Sequence, residues 1–190
     1  MSYFVPVVDQ NNKPLMSTVL RRARRWIEAG KATPFFKKGT LFCVRLNVKP
    51  SDTQTQPIAA GLDPGSKREA YTVKSAAHTY WNILTETPDW VKKAVEVRRN
   101  MRRGRRFRNT RRRKPRFNNR KGTFLPPSTK ARWDLKLRIL AVLRKVIPIV
   151  FYVVEDIKAK TKKYQKKWNK SFSPLENGKN YFYDEIRKIG

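Results

Sequence analysis

The stretch RRNMRRGRRFRNTRRRKPRF, from Arg98 to Phe117, sets the tightest limit on what this chain can fold into. It contains no acid, and 14 of the 24 residues from Arg98 to Lys121 are Lys or Arg. So many charges cannot enter a core without partners. The segment is therefore a solvated tail or an exposed element laid along an anion. The residues before it favour the second. TPDW reads as a helix start, with Thr87 as N-cap and Pro88 at the first helical position. Trp90, Ala94, Val97 and Met101 then recur at spacings of four, three and four, a helical stripe that runs straight into the arginines. If the helix continues, Arg98, Arg102, Arg105, Arg112 and Arg116 fall near one face, although Gly104 and Pro115 limit its regularity. Arginine predominates over lysine, which favours forked contacts to phosphate.

The whole chain carries the same bias. Among its 190 residues, Lys plus Arg number 45 against 14 acids, a formal net charge of +31. Solubility alone needs a charge of only about 2–8 in a small domain. An excess this large repels itself unless a polyanion neutralises it, and nucleic acid is the polyanion expected. The hydrophobic fraction of 39% is enough to build a core. One cysteine, Cys43, and one histidine, His78, exclude an internal disulfide, a Cys/His zinc site and any nuclease motif that needs two histidines. No apolar run reaches the ~18 residues of a membrane span, and no signal sequence is visible, so a cytoplasmic, nucleoid-associated protein is expected.

Local patterns give an order of elements. YFVPVVD (Tyr3–Asp9) reads as a strand, and STVLRRARRWIEAG as a helix with Ser17 as N-cap and Gly30 at its C-terminal end. Leu20, Ala23 and Ile27 make the apolar face of that helix, while Arg21, Arg22, Arg24 and Arg25 make either a solvated charged face or one that contacts phosphates. Thr40–Val48 is another strand, and Lys49–Pro57 a polar linker. Three short strands, near Ile58–Asp63, Ala70–Lys74 and Thr79–Thr85, form an antiparallel meander. An amphipathic helix follows LPPSTKARW and stops at Pro148. Ile149–Lys158 is the most apolar run and reads as a central, doubly covered, parallel strand. A last helix starts near Ser173 or Pro174. The order implies an α/β fold, with the helical crossover laying the Ile149 strand parallel to an earlier one. Cys43 reads as a small buried residue, and Trp133, Trp168, Tyr181, Phe182 and Tyr183 as packing residues rather than base-stacking platforms.

Acids are scarce, so their positions carry information. Asp63 ends the first strand of the meander in GLDPGSK, and Glu155 and Asp156 end the apolar strand in VVEDIK. If these strands are parallel neighbours, Asp63 and Glu155 converge at their C-terminal ends. Paired carboxylates are hard oxygen ligands of the kind that hold Mg²⁺, with water and substrate phosphate completing the shell. The competing reading is structural: Asp, Pro and Gly are each favoured in a tight turn.

KPLMS, GLDPGSK, the arginine stretch, LPPSTKARW and VVEDIK occur in that order. Together they resemble the transposon-associated IscB and IsrB proteins, the group carrying the RRXRR domain, which are compact RNA-guided nucleases. The resemblance runs from about Tyr3 to Gly190. It implies an RNase H-like (RuvC) core with a small N-terminal Pro-Leu-Met-Pro-type domain over 1–50, here with Ser17 in place of the last proline. It further implies a first RuvC segment over 58–87, an arginine-rich bridge helix over 88–122, and a second RuvC segment with its following helix over 123–190. By the same resemblance Asp63 and Glu155 are catalytic carboxylates holding Mg²⁺ or Mn²⁺. The residues expected to hold a guide RNA and its duplex with target DNA are Arg98, Arg99, Arg102, Arg103, Arg105, Arg106, Arg108, Arg111, Arg112, Arg113, Lys114, Arg116 and Arg120. Two departures stand out. The HNH nuclease of the larger members has no counterpart, as in the IsrB arrangement. The third RuvC segment, with its further acid, is expected to be absent, and Asp184 and Glu185 are poor substitutes for it. Two readings other than an RNA-guided nuclease remain: a protein that binds guide RNA without cleaving, and a ribosomal-type RNA-binding protein, which would not explain GLDPGSK and VVEDIK at strand ends.

Overall fold

The computed structural model describes residues 3–37, 41–65, 67–88, 90–111, 125–157 and 173–189. It is a mixed α/β protein with two four-stranded sheets and four helices among the described residues. The chain divides into two compact units, one of Met1–Thr85 with Arg138–Asp156 and one of Glu86–Leu137 with Ile157–Ile189.

The first sheet holds β1 (Phe4–Val8), β2 (Pro14–Val19), β3 (Ala32–Lys37) and β4 (Leu41–Leu46) in the order β2-β1-β4-β3. β1 runs antiparallel to β2 and parallel to β4. In the β1–β2 turn, the Asp9 carboxylate accepts the N–H groups of Asn11 and Lys13, and Asn12 takes the left-handed conformation (φ 62°). Helix α1 (Leu20–Glu28) lies on this sheet. Ala23 is fully buried among Val5, Val7, Leu15, Val44 and Leu46, with Leu20, Trp26 and Ile27 packed around that cluster. A small residue at the centre lets the helix backbone approach the sheet, and the long apolar residues close the sides.

One local expectation is corrected here. Ser17 does not cap α1: it lies in β2, and the N-cap position is Val19, which makes no side-chain capping bond. Pairing overrides the capping signal, because the Leu20 N–H donates to the Tyr3 carbonyl, carrying the β1–β2 ladder to the first residue of the helix. The strand β3, with Pro34 inside it, was not expected. It lies at the sheet edge, where proline is tolerated. Gly30 does end α1 as expected. Its φ is +69°, Gly30 N–H donates to Ile27 O, and Lys31 N–H donates to Trp26 O, the paired bonds of a Schellman motif.

The second sheet has the order β7-β6-β5-β8, built from β5 (Ile58–Asp63), β6 (Arg68–Lys74), β7 (Thr79–Glu86) and β8 (Ile149–Val154). β5 and β6 are antiparallel, and β5 and β8 are parallel. The turn before β7 is closed by Ser75 N–H donating to His78 O. The two sheets meet within the same unit: the Phe4 ring stands edge-on to Tyr80 at 5.0 Å, and the Trp81 indole N–H donates to Phe4 O. Helix α3 (Pro127–Arg144) begins before the expected LPPSTKARW boundary. Its C-terminal turns bury Leu140 and Leu143 in this unit. Cys43 is fully buried.

One expectation about β8 is overturned. The strand is parallel to β5, but it is an edge strand among the described residues, and Phe151 and Val153 are 56% and 61% exposed. A continuous apolar run is compatible with a doubly covered strand, but here the run lies at the margin of the sheet.

The second unit holds α2 (Trp90–Phe107), the first turns of α3, and α4 (Pro174–Ile189). Ser173 caps α4, its hydroxyl accepting the Leu175 N–H. Trp133 of α3 and Phe182 of α4 are both buried, with ring centroids 5.3 Å apart. Gly178 makes the approach possible, since a Cβ there would collide with the Trp133 indole. The Tyr181 hydroxyl donates to Asp134 at 2.7 Å, and burial followed by that carboxylate pushes its pKa up to about 12. Trp133 and Phe182 are thus core residues, while Trp168 lies outside the described residues.

Candidate metal centre and nucleic-acid interface

The first candidate site is built by strand register. Gly61 pairs with Val153, and Leu62 with Val154. The ladder continues one residue past β8, where Glu155 N–H donates to Leu62 O at 3.0 Å. Asp63 and Glu155 therefore leave the same end of two parallel neighbours side by side, both exposed. Asp63 is the neighbour that most perturbs Glu155. Hydrogen bonding to the Asp63 carboxylate, then its negative charge, and last desolvation, raise the Glu155 pKa above the ordinary glutamate value. Two carboxylates this close favour keeping one proton between them, or a cation in its place.

The turn after Asp63 holds the arrangement. Pro64 is buried, and a side chain at Gly65 would collide with the Arg68 carbonyl. On β6, Ala70 stands opposite Asp63. Its neighbours Glu69 and Tyr71 are buried, and the Tyr71 hydroxyl donates to Glu69 at 2.8 Å. Burial, and then Glu69, hold the Tyr71 phenol well above its ordinary value. Glu69 alternates with Ala70 along β6, so it lies on the sheet face away from Ala70 and serves the core. The sequence carried no signal for this buried pair. Among the described residues no group of three His, Cys, Asp or Glu side chains is arranged to hold a metal. Asp184 and Glu185 form ion pairs with Arg187 and Lys188 along α4. The donor set of Asp63 and Glu155 suits Mg²⁺, which usually takes one or two carboxylates and fills its shell with water and phosphate oxygens.

The second candidate site is α2. It begins at Trp90, two residues later than Pro88 would imply. Arg98, Arg99, Arg102, Arg103, Arg105 and Arg106 lie on it, with Arg108 and Arg111 just beyond, and all are exposed. The condition that would put Arg112 and Arg116 on the same helix face, a helix continuing through the stretch, is not met by α2. The helix ends at Phe107, with Asn109 in the left-handed conformation (φ 48°), Asn109 N–H on Arg106 O and Thr110 N–H on Arg105 O. Asparagine tolerates that conformation, so it closes α2 as Gly30 closes α1. Arg112, Arg113, Lys114, Arg116 and Arg120 lie outside the described residues.

Arg98, Arg102 and Arg105 line one groove of about 490 Å³ with Val95, Met101 and Ser128. Arg98 Nε donates to Ala94 O, and Arg102 Nε to Arg98 O. Each guanidinium is thereby tied along the helix through its Nε. The helix stripe read from the sequence is real but not buried: Trp90, Val97 and Met101 are 57%, 56% and 58% exposed, and the residue α2 buries is Val91. Val95 and Ser128 were not singled out from sequence, and nothing local marks them.

These features define a basic mixed α/β protein with an exposed arginine helix and a carboxylate pair at a sheet end. The model of the RRXRR protein family matches residues 5–173, and the chain belongs to that family. Membership is consistent with a nucleic-acid-binding role associated with RNA-guided nucleases. No curated protein matches the chain significantly. No described helix is long and apolar enough to cross a membrane.

Proposed function

We propose that the chain is a guide-RNA-binding protein of the IscB/IsrB type whose second sheet is an RNase H-like (RuvC) core for DNA cleavage. The observation that carries this reading is the meeting of Asp63 and Glu155 at the C-terminal ends of parallel β5 and β8, in a member of the RRXRR family. In this reading α2 is the bridge helix, and its arginines grip the guide RNA and the guide–target duplex. Asp63 and Glu155 hold Mg²⁺ or Mn²⁺. Bound there, the ion would polarise a phosphodiester oxygen and stabilise the charge that develops on cleavage. The chain's own contribution is to place two oxygen donors side by side on hydrogen-bonded strands. The partners are guide RNA and target DNA, and the setting is the nucleoid.

The test is cleavage of matched DNA by the chain with guide RNA and Mg²⁺, beside Asp63→Ala and Glu155→Ala. Nicking that disappears in both variants supports the reading. Equal activity in all three proteins removes both carboxylates from the chemistry. If none cleaves and all retain the guide with affinity that falls steeply with salt, the protein binds without cutting.

A further inference from the structure

The N-terminal sheet carries a second basic surface, remote in sequence from α2. Arg21, Arg22, Arg24 and Arg25 are all exposed on α1. Trp26 is half-buried, and Arg22 precedes it by one helical turn on the same side. At the C-terminal end of this helix lies a cavity of about 350 Å³. Met16, Trp26, Val48 and Pro50 give it apolar walls, and Lys31 and Lys49 stand at it. Its size falls at the lower end of small-ligand sites, ~300–1,000 Å³.

The mouth is fixed by hydrogen bonds rather than by side-chain packing alone. Asn47 uses every polar group it has. Its N–H donates to Lys31 O, its side-chain amide donates to Gly30 O, its side-chain oxygen accepts from Thr33 Oγ1, and its carbonyl accepts from Gln10. These bonds tie the turn carrying Lys31 to the end of β4 and so to the segment carrying Lys49. The Schellman bonds also occupy carbonyls at the end of α1 that would otherwise repel an approaching anion. Asp52, the acid at the cavity, accepts the Gln54 N–H through one oxygen.

We infer that this cavity takes one unpaired nucleobase of a single-stranded RNA, stacked on Trp26, with the flanking phosphates on Arg22, Arg25, Lys31 and Lys49. An aromatic wall ringed by cations suits this ligand, because every base has a stackable face and every linkage a negative charge. Charge complementarity disfavours an apolar peptide. The site does not depend on α2 or on the carboxylate pair.

The experiment uses the full chain and a fluorescein-labelled oligouridylate, followed by anisotropy. The wild type is compared with Trp26→Leu, which keeps an apolar body against the sheet but loses the aromatic face, and with Arg22→Gln/Arg25→Gln, which changes only exposed groups. All three are repeated in an Arg98→Gln/Arg102→Gln/Arg105→Gln background. Oligouridylate binding should survive in that background, and Trp26→Leu should weaken it about fivefold or more, the loss of one stacked base. That loss should persist at high salt, whereas the loss from the arginine pair should shrink. In the wild type, a 4-thiouridine oligonucleotide should cross-link to the peptide containing Trp26 or to those containing Lys31 and Lys49. Equal binding by all variants, or cross-links confined to other peptides, would overturn the proposal. So would an acidic peptide that binds in a Trp26-dependent way where the oligonucleotide does not. Failure of the α2 role reads out separately, as unchanged binding on loss of its three arginines.

Discussion

α1 and α2 are both arginine-rich helices, and both end in a Schellman motif, yet they are held in opposite ways. α1 has a buried centre in Ala23 and long apolar residues packed around the core of its sheet. α2 buries Val91 and leaves Trp90, Val97 and Met101 exposed. The contrast teaches that an apolar stripe does not by itself say what covers it. On α1 the stripe is satisfied by the protein's own sheet, and its arginines are presented by a pre-anchored helix. On α2 the stripe and the arginines are both open to solvent, as expected of an element completed by what it binds.

The largest effect should come from reversing charge on the open helix. Arg98→Glu/Arg102→Glu/Arg105→Glu should lower affinity for a structured RNA by about 100-fold or more. It should also flatten the logarithmic salt slope by roughly 2, some 0.7 for each phosphate no longer neutralised. Filter binding across a salt series measures both. An unchanged slope would mean that α2 does not meet phosphates. The next effect is on the anchored helix. Ala23→Leu should overpack the α1–sheet contact and cost about 1–3 kcal/mol, read by urea unfolding. Smaller still, Val97→Ser and Met101→Ser on α2 should change stability by less than about 0.5 kcal/mol. A loss as large as that of Ala23→Leu would break the distinction between the two helices.

The same contrast recurs inside the second sheet, where among the described residues β5 is paired on both sides and β8 on one. Here the smallest effect is expected. Because Asp63 raises the Glu155 pKa, stability from this pair is present below the ordinary glutamate range and is lost as pH rises through the raised value. Asp63→Asn should return the Glu155 midpoint toward ~4.3, followed by NMR titration of its side-chain carbons. Mg²⁺ should lower the midpoint in the wild type and leave it nearly unmoved in the variant. A wild-type midpoint already near the ordinary value would dissolve the coupling.

Much of the second sheet was legible because its signals are local. Ile58–Asp63 is bounded by a polar linker and by Asp-Pro-Gly, and the structure begins and ends β5 there. The juxtaposition of Asp63 with Glu155 followed from one inference, that a helical crossover makes strands parallel. The N-terminal sheet was harder. β2 runs without a turn into α1, so Ser17 resembled a cap, and Pro34 hid an edge strand. β8 was misplaced because composition reports that a strand is apolar, not which neighbours surround it. The end of α2 at Phe107 was left open in the sequence because its signal rests on one asparagine in the left-handed conformation within a run of arginines.

The exposed margin of β8 has a practical consequence. Among the described residues β8 is an edge strand with Phe151 and Val153 exposed, a template on which another chain can extend the sheet. Net charge opposes that encounter at low ionic strength. Counterions that shield it, such as those in a concentrated salt wash used to strip nucleic acid during purification, remove the opposition. Colloidal behaviour at the bench should therefore invert the usual expectation for a basic protein: the cleaner the preparation, the more readily it associates, and Val153→Lys should restore the tolerance.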